Sequence, residues 1–530
     1  MRTLRCFRKA ILVTWHQYCE RTFIHGIRYI EDPMGNVYTH IMWLIVTSTS
    51  FILAIMLVNT FWEAYKLNPT RMNVESVNVP ITELDFPGVT FCNVNRINMD
   101  RTQEFAENLT IPANLQDIST KKIVKWLKST LGFSDYITEV DPEDLATLQD
   151  ILDANNVSVS TIMRLIQQPC SDLLFRCRWE GKIENCSTLF KSVPTFRGFC
   201  CSFYVQASNK KFTARRTNHF GVGSGLSVVL APAFEDKTID GVYTKGIRVL
   251  INEPAAYPGD RSIEKIYPLG FESMARVSGE QTNCSDAVRL LPIEDRKCFF
   301  PTEHILKYFG VYHENNCDIE CRIDQTLNFC QCVLYFFPNP RHLEVCNVTK
   351  IPCLVDNYDL LNRQDANSST ESSCSCPSNC NGIYYDVRSN SAAITKITYS
   401  TSPLYATSSQ TRIMSVGKEL NIYRTFCSKD LNVSSHMIVH VFFGSHDFMK
   451  LRRDLLSDFV VLIANLGGVF NLFLGISILS MLEVPYFATV RLYMNFRRLE
   501  EELKKRDLFI SRLHVQALQV KGRLTVMHHK

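Results

Sequence analysis

Two stretches of the chain lack the alternation of apolar and polar positions that a folded surface requires. Residues 41–62 run for 22 positions without an ionisable side chain, and residues 459–482 for 24. Each exceeds the roughly 20 helical residues that cross about 30 Å of hydrocarbon. The pattern therefore predicts two membrane-crossing helices. The first lies behind a polar segment of about forty residues, too far from the start for a cleaved signal peptide, and is expected to stay in the mature chain. The second is interrupted: Gly467, Gly468, Asn471, Gly475 and Ser477 fall inside it, and Glu483 follows it. A polar side chain in hydrocarbon costs about 1–3 kcal/mol, so such residues face a bundle interior or a water-filled path. The run reads as a pore helix, not an anchor.

Between the two runs the pattern changes. Phe86-Pro-Gly-Val-Thr-Phe-Cys-Asn93 is β-rich. Residues 100–170 look helical: Ile123, Trp126 and Leu127 form a stripe at helical spacing that suits core packing, and Asp141-Pro-Glu-Asp144 opens a second helix. Residues 199–251 alternate as strands between glycine turns, 437–443 read as a strand, and 362–373 as a Ser-rich loop. The expected organisation is a terminal segment 1–38, a span 39–62, a large region 63–458, a second span 459–487 and a tail 488–530.

Charge adds orientation. The net charge is +4, and the basic residues near the spans are Arg2, Arg5, Arg8, Lys9, Arg21 and Arg28 on one flank and Arg491, Arg497, Arg498, Lys504, Lys505 and Arg506 on the other. Both ends are expected in the cytoplasm, and nucleic acid is not expected as a partner. The region between would lie outside the cell. Eighteen of the 20 cysteines fall there, with seven sequons at Asn108, Asn156, Asn185, Asn283, Asn347, Asn367 and Asn432. That combination suits an oxidising compartment and a disulfide framework.

Three features imitate other chemistry. Gly221-Val-Gly-Ser-Gly225 is part of a phosphate-loop pattern, but no lysine follows it and no βαβ unit surrounds it. His436 and His440 have the spacing of a helical zinc pair, yet lie in a predicted strand and lack the accompanying glutamate. Cys330-Gln-Cys332 and Cys374-Ser-Cys376 could hold zinc, but outside the cell they favour disulfides. No catalytic group, metal site or cofactor is expected, apart from a permeant ion.

Together these residues resemble the superfamily of epithelial sodium channels, degenerins and acid-sensing channels, and within it the insect pickpocket branch. The resemblance is carried by Thr22-Phe-Ile-His25-Gly26, the 86–93 motif, Gly198-Phe-Cys-Cys-Ser-Phe203, Cys317-x3-Cys321, Cys374-Ser-Cys-Pro-Ser-Asn-Cys380, and Gly467-Gly468 with Gly475-Ile-Ser477 and Glu483. The doubled cysteine at 200 and 201 and Arg296-Lys-Cys298-Phe resemble the pickpocket branch in particular.

The resemblance implies an α+β membrane protein: two transmembrane helices and a large disulfide-rich extracellular domain, with a β-sheet palm and helical finger and thumb. It implies a trimeric channel, homomeric or built with related subunits, that conducts sodium across the plasma membrane of sensory or epithelial cells. Gly475, Ile476 and Ser477 would form the selectivity filter, Ala464, Asn471 and Glu483 the pore and gate, and His25 and Gly26 the gating motif on a re-entrant segment. Ala464 lies eleven residues before Gly475, which on a continuous helix would put both on one face.

The family's cysteine pattern implies Cys92–Cys200, Cys177–Cys186, Cys298–Cys380, Cys317–Cys376, Cys321–Cys374, Cys330–Cys353 and Cys332–Cys346. Four cysteines without a counterpart in the acid-sensing pattern are expected to pair as Cys170–Cys201 and Cys284–Cys427. Two departures limit what carries over. Asn471 stands where relatives usually have glycine or serine, which leaves pore width and blocker sensitivity open. No tryptophan lies between Cys284 and Cys321, so proton gating is not implied. The competing readings are a two-span adhesion or scavenger receptor without a pore, a membrane-tethered ectoenzyme, and an ATP-gated two-span channel. The first has no use for an interrupted span, the second finds no catalytic constellation, and the third does not fit the Cys-x-Cys arrays or His25-Gly26.

Overall fold

The computed structural model describes the chain apart from residues 1, 32–34, 68, 131–140, 204–213, 235–243, 340–341, 359–374, 396–410, 413–423, 426–434, 457–458 and 528–530. It divides into two compact units, Met1–Arg71 with Leu455–Lys530, and Met72–Asp454. Six helices matter below: α1 (Arg2–Arg21), α2 (Val37–Leu67), α3 (Glu314–Cys330), α4 (Phe459–Leu474), α5 (Ile478–Tyr486) and α6 (Leu492–Met527).

In the first unit, α2 is long and apolar enough to cross a membrane, and Ala54 is its one buried residue. The second apolar run departs from its expected form. It is two helices, which pass the same test only as a pair bent by 72°. The sequence Gly-Ile-Ser is the reason. Gly475 adopts φ +65°, a left-handed conformation that closes a helix and that other residues rarely take. Its N–H donates to Asn471 O at 2.9 Å, and Ile476 N–H to Phe470 O at 3.3 Å. Ser477 then caps the next helix, its hydroxyl accepting from Ser480 N–H at 3.2 Å. The triplet is a stop, a turn and a start.

The N-terminal helix packs on the tail. Cys6, Ala10, Thr14 and Tyr18 recur every four residues on one buried face. Asn495 Nδ2 donates to Thr14 Oγ1 and Gln17 Oε1, both at 3.0 Å, and Arg491 Nε to Gln17 Oε1 at 2.9 Å. Phe7 meets Phe496, and Tyr18 meets Phe487, edge to face. Burial and the neighbouring Glu31 push the Cys19 thiol up to about 12, so it stays neutral.

The second unit holds two sheets. The eight-stranded sheet runs Thr70–Pro80, Asp447–Leu455, Phe271–Cys284, Met437–Phe443, Leu226–Leu230, Leu174–Trp179 and Lys182–Glu184, with Gly382–Ala393 also paired to Phe271–Cys284. It is mixed, since Phe271–Cys284 lies parallel to Met437–Phe443 and antiparallel to Gly382–Ala393. The five-stranded sheet is antiparallel throughout: Phe190–Thr195, Gly198–Phe203, Gly88–Asn93, Gly246–Asn252, Ile263–Pro268. Phe86, Trp179, Phe203 and Phe443 meet in the core between the sheets.

A second core lies among the helices, where Ile123, Trp126 and Leu127 pack with Leu145 and Leu148 and with Ile319 and Ile323 of α3. Asp141 caps Pro142–Ala154, with proline in the first turn, as the sequence predicts. His440 is a structural residue: buried in Met437–Phe443, its ring nitrogens meet Ser227 Oγ and Glu272 Oε1, both at 2.8 Å. Gly221 opens a turn, with Ser224 N–H donating to its carbonyl at 3.2 Å.

The described bridges are Cys92–Cys200, Cys170–Cys201, Cys177–Cys186, Cys298–Cys380, Cys317–Cys376, Cys330–Cys353 and Cys332–Cys346. Cys321 is disulfide-bonded, and its expected partner Cys374 lies outside the described residues. The expected Cys284–Cys427 bridge requires correction. Cys284 is a free thiol beside the Cys298–Cys380 bridge, donating to Cys380 O at 3.1 Å, while Cys427 lies outside the described residues. The end of strand Phe271–Cys284 runs along the bridged segment, which explains the proximity.

Of the sequon asparagines, Asn108, Asn156 and Asn185 are exposed, Asn283 and Asn347 are half-buried, and Asn367 and Asn432 lie outside the described residues. So does the Ser-rich stretch 362–373.

Candidate pore and gating site

The site is built where α4 ends. A helix leaves its last carbonyls without partners, which is costly away from water. The carbonyl of Leu474 is satisfied from the other end of the chain: His25 N–H donates to it at 2.8 Å. The His25 ring lies over Gly475, so closely that a Cβ built there would come within 2.6 Å of ring atoms. Next to it Gly26 takes φ +88° and packs on Thr47 of α2, leaving no room for a side chain. The two residues are therefore a wedge between the first span and the break in the second. His25 requires glycine at 475, and the turn that presents it requires glycine at 26.

The faces of α4 divide sharply. Leu462, Val469 and Leu474 are buried, and α4 packs against α2. Ala464, Gly467, Gly468 and Asn471 lie opposite Leu462 and Val469 at 100° per residue, and all four are exposed. A Cβ on Gly467 or Gly468 would meet nothing within 4 Å. Small and polar residues thus share the uncovered side of α4 with exposed apolar ones, Val460, Ile463 and Leu472. Gly475 lies past the end of α4, so the eleven-residue helical count from Ala464 does not extend to it, although Ala464 keeps its place on the stripe.

Ser477 spends one lone pair on Ser480 N–H, and its Oγ also lies 3.2 Å from Ser480 Oγ. When Ser477 is the donor in that second contact, one lone pair remains for a cation. Glu483, on α5, holds Oε2 buried without a hydrogen-bond partner. Pro485, within α5, lacks the N–H that would bond Met481 O, and a short π-helical stretch, Phe487–Arg491, follows.

Sequence reasoning named His25, Gly26, Gly475 and Ser477 but missed Thr47, the Leu474 carbonyl and Ser480. Only Ser480 left a trace, as the third residue after a capping serine.

The chain thus joins a large disulfide-bonded unit to a helical unit with one helix long and apolar enough to cross a membrane and one broken apolar pair. The model of the amiloride-sensitive sodium channel family matches residues 18–487, from α1 past the end of α5, and the chain belongs to that family. It is 35% identical to the sodium channel protein Nach of Drosophila ananassae over 93% of this chain and 90% of that protein. It is 33% identical to the Drosophila melanogaster protein of the same name, over 91% and 88%. Pickpocket protein 28 of Drosophila melanogaster is 22% identical over 94% of this chain and 82% of its own length. Membership places the chain among ion channels that assemble as multimers of related subunits in the plasma membrane, and not among enzymes.

Proposed function

We propose that this chain is one subunit of a trimeric sodium-selective channel, homomeric or built with related subunits. In this reading both termini are cytoplasmic, the second unit is extracellular, and each subunit contributes one Gly475-Ile476-Ser477 break to a shared axis. The observation that carries the reading is the wedge: a helix broken at Gly475 with His25 seated on it and an uncovered stripe of small and polar residues above. Three such stripes facing one another would leave a narrow polar path. Carbonyls near the break and the free lone pair of Ser477 are hard oxygen ligands that replace part of the hydration shell of a small cation. The unpaired Glu483 Oε2 would attract cations and repel anions. The names of the Nach relatives support sodium as the permeant ion.

Ser477→Ala removes the ligand together with the cap of α5, while the turn at Gly475 remains. In well-expressed channels it should change the sodium to potassium permeability ratio about twofold or more. Glu483→Gln should lower conductance more than selectivity, because it acts through the field and not by coordination. Unchanged ratios in Ser477→Ala at normal surface density would remove the filter assignment.

A further inference from the structure

The second unit contains a cavity of about 730 Å³ between the five-stranded sheet and the start of α3, within the range that holds a small organic molecule. Part of its wall is aromatic, from Tyr257, Tyr308, Phe309 and Tyr312, beside Asn316, Asn339, Asn379 and Asn381. The tyrosine hydroxyls are already committed, Tyr257 to Pro194 O and Phe336 O, Tyr312 to Pro377 O, and Tyr308 to Asp324 Oδ1 at 3.4 Å. These residues therefore offer ring surface. Asn316 is also spent, accepting from Tyr257 N–H at 2.8 Å and donating to Ala255 O at 3.3 Å.

One charge remains. His313 Nε2 lies 2.8 Å from Glu253 Oε2, while His313 Nδ1 accepts from Asn315 N–H at 3.2 Å. With Nδ1 accepting, Nε2 is the ring nitrogen left to donate to Glu253. The pair thus retains the full negative charge of the carboxylate. No lysine or arginine is among the described residues lining the cavity, and Arg261 nearby is paired with Glu314 and Asp318. A lone carboxylate among aromatic faces is the environment that favours an organic cation.

We propose that this cavity binds an amine or quaternary ammonium ligand, its charge against Glu253 and its apolar body against the half-buried Tyr308 and Phe309. A bare metal ion fits less well, since so few uncommitted oxygens converge there.

The test uses the purified full-length chain in lipid nanodiscs and needs no current, so it stands apart from the pore reading. Calorimetry would compare tyramine, phenethylamine and choline with the neutral 4-ethylphenol, the anionic 4-hydroxyphenylacetate and sodium chloride. At least one amine should bind about tenfold or more tightly than 4-ethylphenol. Glu253→Gln should abolish that preference, and Glu253→Asp should restore part of it. Phe309→Leu should weaken the amine about fivefold or more. A thermal unfolding midpoint within about 2 °C of the parent would show that a variant is folded. Equal binding of amine and 4-ethylphenol, undiminished amine binding by a folded Glu253→Gln, or no amine binding below about 10 mM would each overturn the proposal.

Discussion

The two units hold their shapes by opposite means. The second is fixed many times over: two hydrophobic cores, seven described bridges and ion pairs such as Arg296 with Glu303 and Arg248 with Glu264. Each bridge adds about 2–4 kcal/mol, so no single one decides the shape. In the first unit α2 buries one residue, and α4 buries Leu462, Val469 and Leu474. The His25 segment is held to the break by one backbone hydrogen bond, one imidazole and two glycines. Regions held by few contacts are those that switch between discrete arrangements. Change in this molecule is therefore expected at the break.

The strongest way to break this contrast is Gly475→Ala. A side chain there meets the His25 ring and must adopt a left-handed backbone, together costing about 2–5 kcal/mol. Current per surface channel should fall about tenfold or more. His25→Ala in the same chain should return part of it, because the ring makes way while the backbone strain remains. Strictly additive effects of the two changes would show that the wedge does not exist.

Next in size is Ala464→Phe on the uncovered stripe. If three stripes close the pore, the larger ring overpacks the closed state by about 1–3 kcal/mol and raises open probability five- to more than a hundredfold. A standing current without stimulus is expected. A silent mutant at normal surface density, alone and with related subunits, would place this stripe elsewhere. The smallest effect should come from Cys284→Ser in the heavily fixed unit, within about 0.5 kcal/mol by denaturant unfolding. A loss above about 2 kcal/mol, or recovery of a peptide joining Cys284 to Cys427, would show one more staple than the structure contains.

Much of the second unit was legible because its signals are local or paired. Asp141-Pro142 is a complete helix start, and the cysteines came with a family pairing scheme. Cys284 escaped because parity of the remaining cysteines suggested a partner, whereas proximity put it beside an existing bridge. In the second apolar run, composition revealed the interruption, but hydropathy could not tell a helix with small residues from two helices. That depends on Gly475 taking positive φ and Ser477 turning its hydroxyl to Ser480. The meeting of His25 with Leu474 has no local signal at all. The pickpocket-like Arg296-Lys-Cys298-Phe found a mechanical reason: Arg296 Nε donates to Cys298 O at 3.0 Å and Nη1 to Arg289 O at 3.1 Å, and Lys297 takes the left-handed turn between.

The seat of His25 also imposes an order of manufacture. The histidine leaves the ribosome among the first residues, and the carbonyl that receives it among the last. In the interval the whole disulfide-bonded unit is synthesised, and domains generally fold as they emerge. Until Leu474 arrives the wedge has nothing to close on, and until His25 is seated a helix end at membrane depth keeps an unpaired carbonyl, a defect worth several kcal/mol. The joint therefore forms only after Leu474 has been synthesised, and a chain that reaches residue 474 without seating His25 leaves that carbonyl without its partner.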